Sequence, residues 1–304
     1  MATSTSRYTN AEWEALTLQT QRAIAGAETK QQQHNGSNGS NGADVGVDAP
    51  LDMAALAKTI DHTLLKLEAT LPQIDGLCDE ARRERFATVC VRLQHVARAI
   101  SNLKGSGVGV ACVVGFHEGT YDTNIKLVEA QEAVRLGATE LDIVINHPQL
   151  IAHTYEPIYK ELAALRTALP APTTLKLILE TSQLSPLDII AGTCLAAAAR
   201  LDCVKTSTGF CGRGASVADV RLMAAAVDAL AVSGAAGMFV KASGGVRGLG
   251  DARTMLAAGA ERIGTSSGVW IMQEARAVEA GEAGLGAERP AATRLYTDNS
   301  IGGY

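Results

Sequence analysis

Two lysines stand where an α/β protein would ordinarily keep a hydrophobe. Lys205 closes the run LDCVK, and Lys241 interrupts MFVKASG; small residues and glycine follow each of them. Asp61 lies within TIDHTLL and Asp142 within ELDIVIN, each with an apolar neighbour on its N-terminal side. Burial of an unpaired charge is costly, so these groups must face one another or a wet pocket. Two ammonium groups on neighbouring strands repel, and both are partly desolvated; both effects favour a neutral amine. A neutral amine attacks carbonyl carbon. The reading is that Lys205 forms a Schiff base and Lys241 is the charge that tunes it. Asp142 carries protons to and from the reacting carbons, directly or through a water. Asp61 converges on the same region.

Something must bring four residues so far apart in sequence together. Eight short runs rich in β-branched and apolar residues begin at 59, 87, 108, 140, 174, 202, 238 and 262. Helix-period patterns fill most intervals between them. Residues 122–136 place Ile125, Val128, Ala133 and Leu136 near one face, with Asp122 as N-cap and Gly137 as the stop. Further helices are expected from Pro157, after Ser185-Pro186 and from Ser216. Eight strand–helix units fit an α/β fold of the (β/α)8 TIM-barrel type with a short N-terminal extension. No G-x-G-x-x-G follows the first strand, which removes the signature of the dinucleotide-binding alternative. In such a barrel the chemistry sits at the C-terminal ends of the strands. By that filter Asp61, Asp142, Lys205 and Lys241 are the candidates, one each on strands one, four, six and seven. Lys176 lies early in strand five and is given a structural role, Lys66 and Glu180 are secondary candidates, and His62 should point away from Asp61.

The glycines supply a second half of the site. Strand seven ends in Ser243-Gly244-Gly245, strand eight reads Gly264-Thr265-Ser266-Ser267, and Thr208-Gly209 follows strand six. Loops after strands seven and eight of a barrel often hold a phosphate on backbone N–H groups and a helix N-terminus.

Composition excludes other classes. The formal net charge is −5 and aromatics are 4%, which argues against a nucleic-acid partner. No apolar run is long enough for a membrane span, and the N-terminus resembles neither a secretory nor a transit peptide. The six cysteines form no C-x-x-C pair and read as reduced core residues, so a cytoplasmic protein is expected. His34, His62, His95, His117, His147 and His153 show no metal-ligand spacing, and neither a metal nor a cofactor is expected. No serine-hydrolase nucleophile elbow is expected, and no P-loop motif is present. Residues 1–30 read as an accessory region, with Trp13, Leu16, Thr20 and Ile24 at helical spacing over 9–29. Residues 31–50 read as a low-complexity linker, 51–280 as the barrel and 281–304 as a flexible tail. The tail ends in NSIGGY, so the Tyr304 phenol sits on a flexible tether that reaches the barrel mouth in one reading and frays in the other.

The segments LAKTIDHTLLK (56–66), ELDIVIN (140–146), CVKTSTGF (203–210), VKASGGVR (240–247) and RIGTSSG (262–268) resemble the deoxyribose-phosphate aldolase family. The likeness runs from about 52 to about 272, in order and spacing. It implies a metal-free class I lyase that cleaves 2-deoxy-D-ribose 5-phosphate to D-glyceraldehyde 3-phosphate and acetaldehyde, in deoxyribonucleotide catabolism. By that resemblance Lys205 is the Schiff-base lysine, Lys241 the second catalytic lysine and Asp142 the proton shuttle. Asp61 is a pocket aspartate. Thr208, Gly209, Gly244, Gly245, Gly264 and Ser266 bind substrate, mostly at its phosphate. The partners are small phosphosugars and aldehydes, and a homo-oligomer, a dimer, is expected. Three departures mark the rim: Arg92-Leu93 after strand two where Asn-Pro is usual, Leu67 where Pro is usual, and His147-Pro148 after strand four. A transaldolase-like enzyme and a phosphosugar-binding barrel without turnover are the competing readings.

Overall fold

The computed structural model describes residues 8–35, 52–235 and 237–281. The expectation about Tyr304, and those about 36–50 and 282–304, fall outside the described residues.

Eight parallel strands close in sequence order into one barrel: β1 (Ile60–Thr63), β2 (Thr88–Val91), β3 (Gly109–Val114), β4 (Glu140–Val144), β5 (Thr174–Ile178), β6 (Cys203–Lys205), β7 (Phe239–Ser243) and β8 (Arg262–Thr265). Every strand falls inside a run expected from the sequence. The register fixes the site. Ile178 pairs with Lys205, Lys205 with Lys241, and Lys241 with Arg262. Asp142 pairs with Lys176 one strand before. The two lysines therefore sit side by side on neighbouring strands, about 4.8 Å apart in backbone spacing.

The interior of the barrel divides into unlike regions. A charged cluster fills its middle. Above it, on the β1–β5 side, Leu65, Cys90, Ala111, Val113, Phe116, Val144 and Ile178 form a small apolar cluster separate from the main core. The main core lies between the outward faces of the strands and the surrounding helices.

Side-chain caps start most of the surrounding helices. Asp122 caps α5 (Thr123–Arg135), Ser185 and Asp188 form a capping box on α8 (Pro186–Ala198), and Ser216 caps α9 (Val217–Val232). Two helices differ from expectation. In α5 the face with Ile125 and Val128 is exposed, while Lys126, Ala130 and Ala133 turn inward. A buried ion pair overrides the apolar pattern: Lys126 Nζ lies 2.6 Å from Glu161 Oε1 and donates to the Val144 carbonyl at 2.9 Å. A second helix, α7 (Tyr155–Ala168), starts before Pro157 because a distant side chain caps it. Asn10 Oδ1 accepts from the N–H groups of Tyr155 at 2.9 Å and Glu156 at 3.1 Å.

Asn10 opens α1 (Asn10–Asn35), which continues into the segment expected as linker. Gln31–Gln33 are good helix formers and let the helix propagate. Trp13, Thr17, Thr20 and Ile24 are buried against α7, α8 and α9. Trp13 packs on Tyr8 and Tyr159, each with ring centroids 5.1 Å apart. From Asp188 to Ala197, α8 is buried throughout, which a helix on a barrel's outer ring achieves only when something covers it. Here that cover is α1. Trp13→Ala should therefore destabilise the whole domain by about 3–5 kcal/mol, read as a lower denaturant midpoint; an unchanged midpoint would make α1 a passive appendage.

Candidate active site

The sequence-derived residues converge. Lys205 Nζ lies 2.8 Å from Asp142 Oδ2, and Lys241 Nζ lies 2.7 Å from the same oxygen. Lys241 also reaches Asp61 Oδ2 at 2.5 Å. Lys176 is more central than its place on the strand suggests. Its ammonium lies 2.7 Å from Asp142 Oδ1, 2.5 Å from Glu140 Oε2 and 3.5 Å from Asp61 Oδ2. Arg262 closes the base of the cluster, with Nη1 at 2.5 Å from Asp61 Oδ1 and Nη2 at 3.2 Å from Glu140 Oε1. Arg262 and Glu140 were missed in the sequence. Strand periodicity alone would have found them: Glu140 is two residues before Asp142, and Arg262 two before Gly264, so each pair shares the inner face.

This geometry changes the electrostatic argument. The two amines do not simply repel; the Asp142 carboxylate stands between them. Burial would push the Lys241 ammonium down, but Asp142 and Asp61 outweigh it and hold Lys241 above the ordinary lysine value. Lys176 is held well above that value in the same way, against its own burial, by Asp142, Asp61 and Glu140. Asp142 is buried, which alone would raise it; Lys176, Lys205 and Lys241 hold it well below the carboxylate range. Asp61 is likewise held down by Lys241, Lys176 and Arg262 despite burial. Four cations (Lys176, Lys205, Lys241, Arg262) thus meet three carboxylates (Asp61, Glu140, Asp142). Lys205 has the fewest carboxylate contacts of the three lysines: one oxygen, shared with Lys241. Ion pairing to a shared carboxylate thus replaces the bare repulsion expected between Lys205 and Lys241.

Above the cluster, the loops expected to grip phosphate come together. Gly209, Gly244 and Gly245 have positive φ of 84°, 84° and 79°. A Cβ on Gly244 would lie 2.8 Å from Gly214 Cα, so loops six and seven pack backbone to backbone. At Gly264 a Cβ would lie 3.0 Å from Lys241 Cε and would collide with the Ser243 hydroxyl. The hydroxyls of Ser207, Ser243, Ser266 and Ser267 are buried without a hydrogen-bond partner among the described residues. Several buried, unsatisfied hydroxyls beside glycine loops are what a polar ligand would satisfy. Thr208 is also buried, but both its N–H and its hydroxyl bind Glu180.

The remaining candidates sit around this centre. His62 points outward, as expected, with Nε2 at 2.7 Å from Glu80 Oε2. Arg92 lies on the rim: Nε donates to the Leu65 carbonyl at 2.7 Å, and the guanidinium stacks over Phe116 at 5.0 Å and Phe210 at 6.0 Å. His117 stacks on Phe210 with centroids 5.2 Å apart. His147 and Pro148 open a short helix, α6 (His147–Ile151), capped by Asn146. All six cysteines are free.

A family model described as DeoC/LacD family aldolase matches residues 55–274. A deoxyribose-phosphate aldolase of Coccidioides immitis (strain RS) is 50% identical over 225 residues, covering 74% of this chain and 82% of the relative. One from Staphylococcus haemolyticus (strain JCSC1435) is 45% identical over 218 residues, covering 71% of this chain and 95% of the relative. Among solved structures, one from Coccidioides immitis superposes with a TM-score of 0.77 at 43% identity, covering 89% of this chain and 99% of that one. A tetrameric deoxyribose phosphate aldolase from Aeropyrum pernix superposes with a TM-score of 0.68 at 32% identity, covering 75% and 94%.

Proposed function

Because the chain belongs to the DeoC/LacD family of aldolases, we propose that Lys205 is its covalent nucleophile, with Lys241 and Asp142 as its proton-handling partners. The reaction is the reversible retro-aldol cleavage of 2-deoxy-D-ribose 5-phosphate to D-glyceraldehyde 3-phosphate and acetaldehyde, so the chain is a class I lyase. The observation that carries the assignment of roles is the position of Lys205. Lys205 is 2% exposed, closes β6 and has one carboxylate oxygen, shared with Lys241, as its ion-pair partner.

The steps follow from that position. The neutral Lys205 amine adds to the open-chain aldehyde carbon to give a carbinolamine, which takes up one proton at its hydroxyl and loses water to leave a protonated imine. A base removes the C3 hydroxyl proton, the C2–C3 bond breaks, and its electron pair moves into the imine to leave an enamine on the lysine. The triose phosphate departs. Protonation of the enamine carbon and hydrolysis release acetaldehyde and restore the amine. Asp142 accepts from Lys205 and Lys241 through one oxygen, and so is placed to carry these protons directly or through a water. Lys241, held as a cation, supplies positive charge beside the carbinolamine and imine. Lys176, Arg262, Glu140 and Asp61 hold Asp142 and Lys241 in place from below.

We assign the phosphate to the loops bearing Gly209, Gly244, Gly245, Gly264 and Ser266. Binding at the non-reacting end of the sugar orients the reacting end. Gly264→Ala should crowd Lys241 and displace the Ser243 hydroxyl, lowering kcat/KM on the phosphorylated sugar roughly 10- to 100-fold; an unaltered value would remove this strand from the site. The function itself is tested by supplying 2-deoxy-D-ribose 5-phosphate and measuring both products. Acetaldehyde and triose phosphate should appear in equal amounts. Cleavage only of sugars that yield a ketone donor, or no cleavage, would overturn the reading.

The remaining parts of the reading are a cytoplasmic location and a homodimer. No helix among the described residues is long and apolar enough to cross a membrane.

A further inference from the structure

We propose that Glu180 is a positioning residue for the phosphate grip: its carboxylate fixes Thr208 and so sets the turn at Gly209. The proposal rests on the reading above that this turn binds phosphate. Glu180 is a non-glycine residue in the left-handed region, with φ 60° and ψ 57°, just past the end of β5. Residues in that conformation persist where surrounding contacts over-determine them. The contacts are present. On either side, the Leu179 N–H donates to the Lys205 carbonyl and the Thr181 N–H to the Thr206 carbonyl, each at 2.9 Å. The backbone is thus tied to the continuation of β6, and the left-handed kink turns the Glu180 side chain onto the loop beyond.

There the carboxylate meets one residue twice. Glu180 Oε2 accepts from the Thr208 N–H at 3.1 Å and from the Thr208 hydroxyl. The same hydroxyl accepts from the Phe210 N–H at 3.0 Å. Glu180, Thr208 and Phe210 therefore clamp both sides of Gly209, whose φ is 84°. The direction of the Gly209 N–H follows from that clamp. Glu180 is 1% exposed, and its other oxygen, Oε1, is buried without a partner among the described residues. Such a carboxylate costs stability to bury, so its presence calls for a role in the loop it holds. Burial raises its carboxyl, against the lowering effect of the two Thr208 bonds and of the Lys205 charge. It also lacks direct contact with the Lys205 amine among the ion pairs of the described residues, which separates it from the bond-breaking groups.

The role is read from substrate discrimination. Glu180→Ala should lower kcat/KM for 2-deoxy-D-ribose 5-phosphate about tenfold or more, mainly through KM, as expected for two lost charge-assisted hydrogen bonds. Cleavage of unphosphorylated 2-deoxyribose should stay the same. Glu180→Gln keeps an acceptor oxygen and should restore the phosphorylated substrate to within about twofold of the natural chain. Glu180→Gly relaxes the left-handed backbone, so it tests the role without a strained fold, and it should show the same selective loss as Ala. Equal losses on both sugars, a Gln variant as poor as Ala, or no change in any variant would overturn the proposal. Borohydride trapping of acetaldehyde on Lys205 in each variant keeps the two readings apart. Retained trapping with lost phosphate preference concerns Glu180 alone, whereas lost trapping in the natural chain concerns the nucleophile.

Discussion

Lys205→Met should yield a folded barrel that has lost turnover by a factor on the order of 10^4 or more, the scale seen when a covalent nucleophile is removed. Its stability should equal or exceed that of the natural chain. The charged cluster has four cations against three carboxylates, and removing Lys205 leaves three against three. A buried network with matched charges holds together better than one with a surplus. The pairing of two results, lost activity and retained midpoint, separates a nucleophile from a structural lysine. A structural Lys205 would cost stability when replaced. Both quantities are read from the same preparation, by product formation and by denaturant unfolding.

Asp142→Asn should do the opposite to stability. Asp142 is fully buried and is bonded to Lys176, Lys205 and Lys241. An amide leaves four cations around two carboxylates, at a cost of about 3–5 kcal/mol. Turnover should fall by about 10^2 to 10^4, because an amide cannot relay protons. The pH dependence follows from the direction of each shift. Asp61 and Asp142 are depressed, so their stabilising contribution is present above the ordinary carboxylate range and is lost as pH falls through their folded values. Lys176 and Lys241 are raised, so their contribution is present below the ordinary lysine value and is lost as pH rises through their folded values. From about pH 4 downwards the natural chain should therefore lose stability progressively. In Asp142→Asn the acid limb should be shallower, since one depressed carboxylate is gone. An acid limb as steep as the natural one would mean that Asp142 is not held down by its lysines.

The strands and the convergence of the buried charges were legible for one physical reason. A charge inside an apolar, β-branched run must be paired or functional, and a closed barrel turns such charges toward one another in its interior. Lys205, Lys241, Asp61 and Asp142 all carry that signal. The outward direction of His62 followed from the two-residue period of β1. Elsewhere the signal failed because the deciding partner lay far away in sequence. The buried face of α5 could not be read from Ile125 and Val128, since Lys126 turns inward to meet Glu161 on α7. The start of α7 could not be read from Pro157, because Asn10 caps it from α1. Repulsion between Lys205 and Lys241 was inferred from adjacency alone; the Asp142 carboxylate between them is a fact of three-dimensional register. Glu180 stood out only as a charge near a strand end, and its hold on Thr208 needed the left-handed backbone to become visible.

The central claim concerns one nitrogen and has a direct chemical test. The full chain is incubated with acetaldehyde, reduced with borohydride and digested, and the modified lysine is located by mass spectrometry. An ethyl group on Lys205 Nζ, absent without reductant, is the predicted result. An ethyl group on Lys241, Lys176 or a surface lysine with Lys205 unmodified, or no adduct on a chain that still cleaves its substrate, would contradict it.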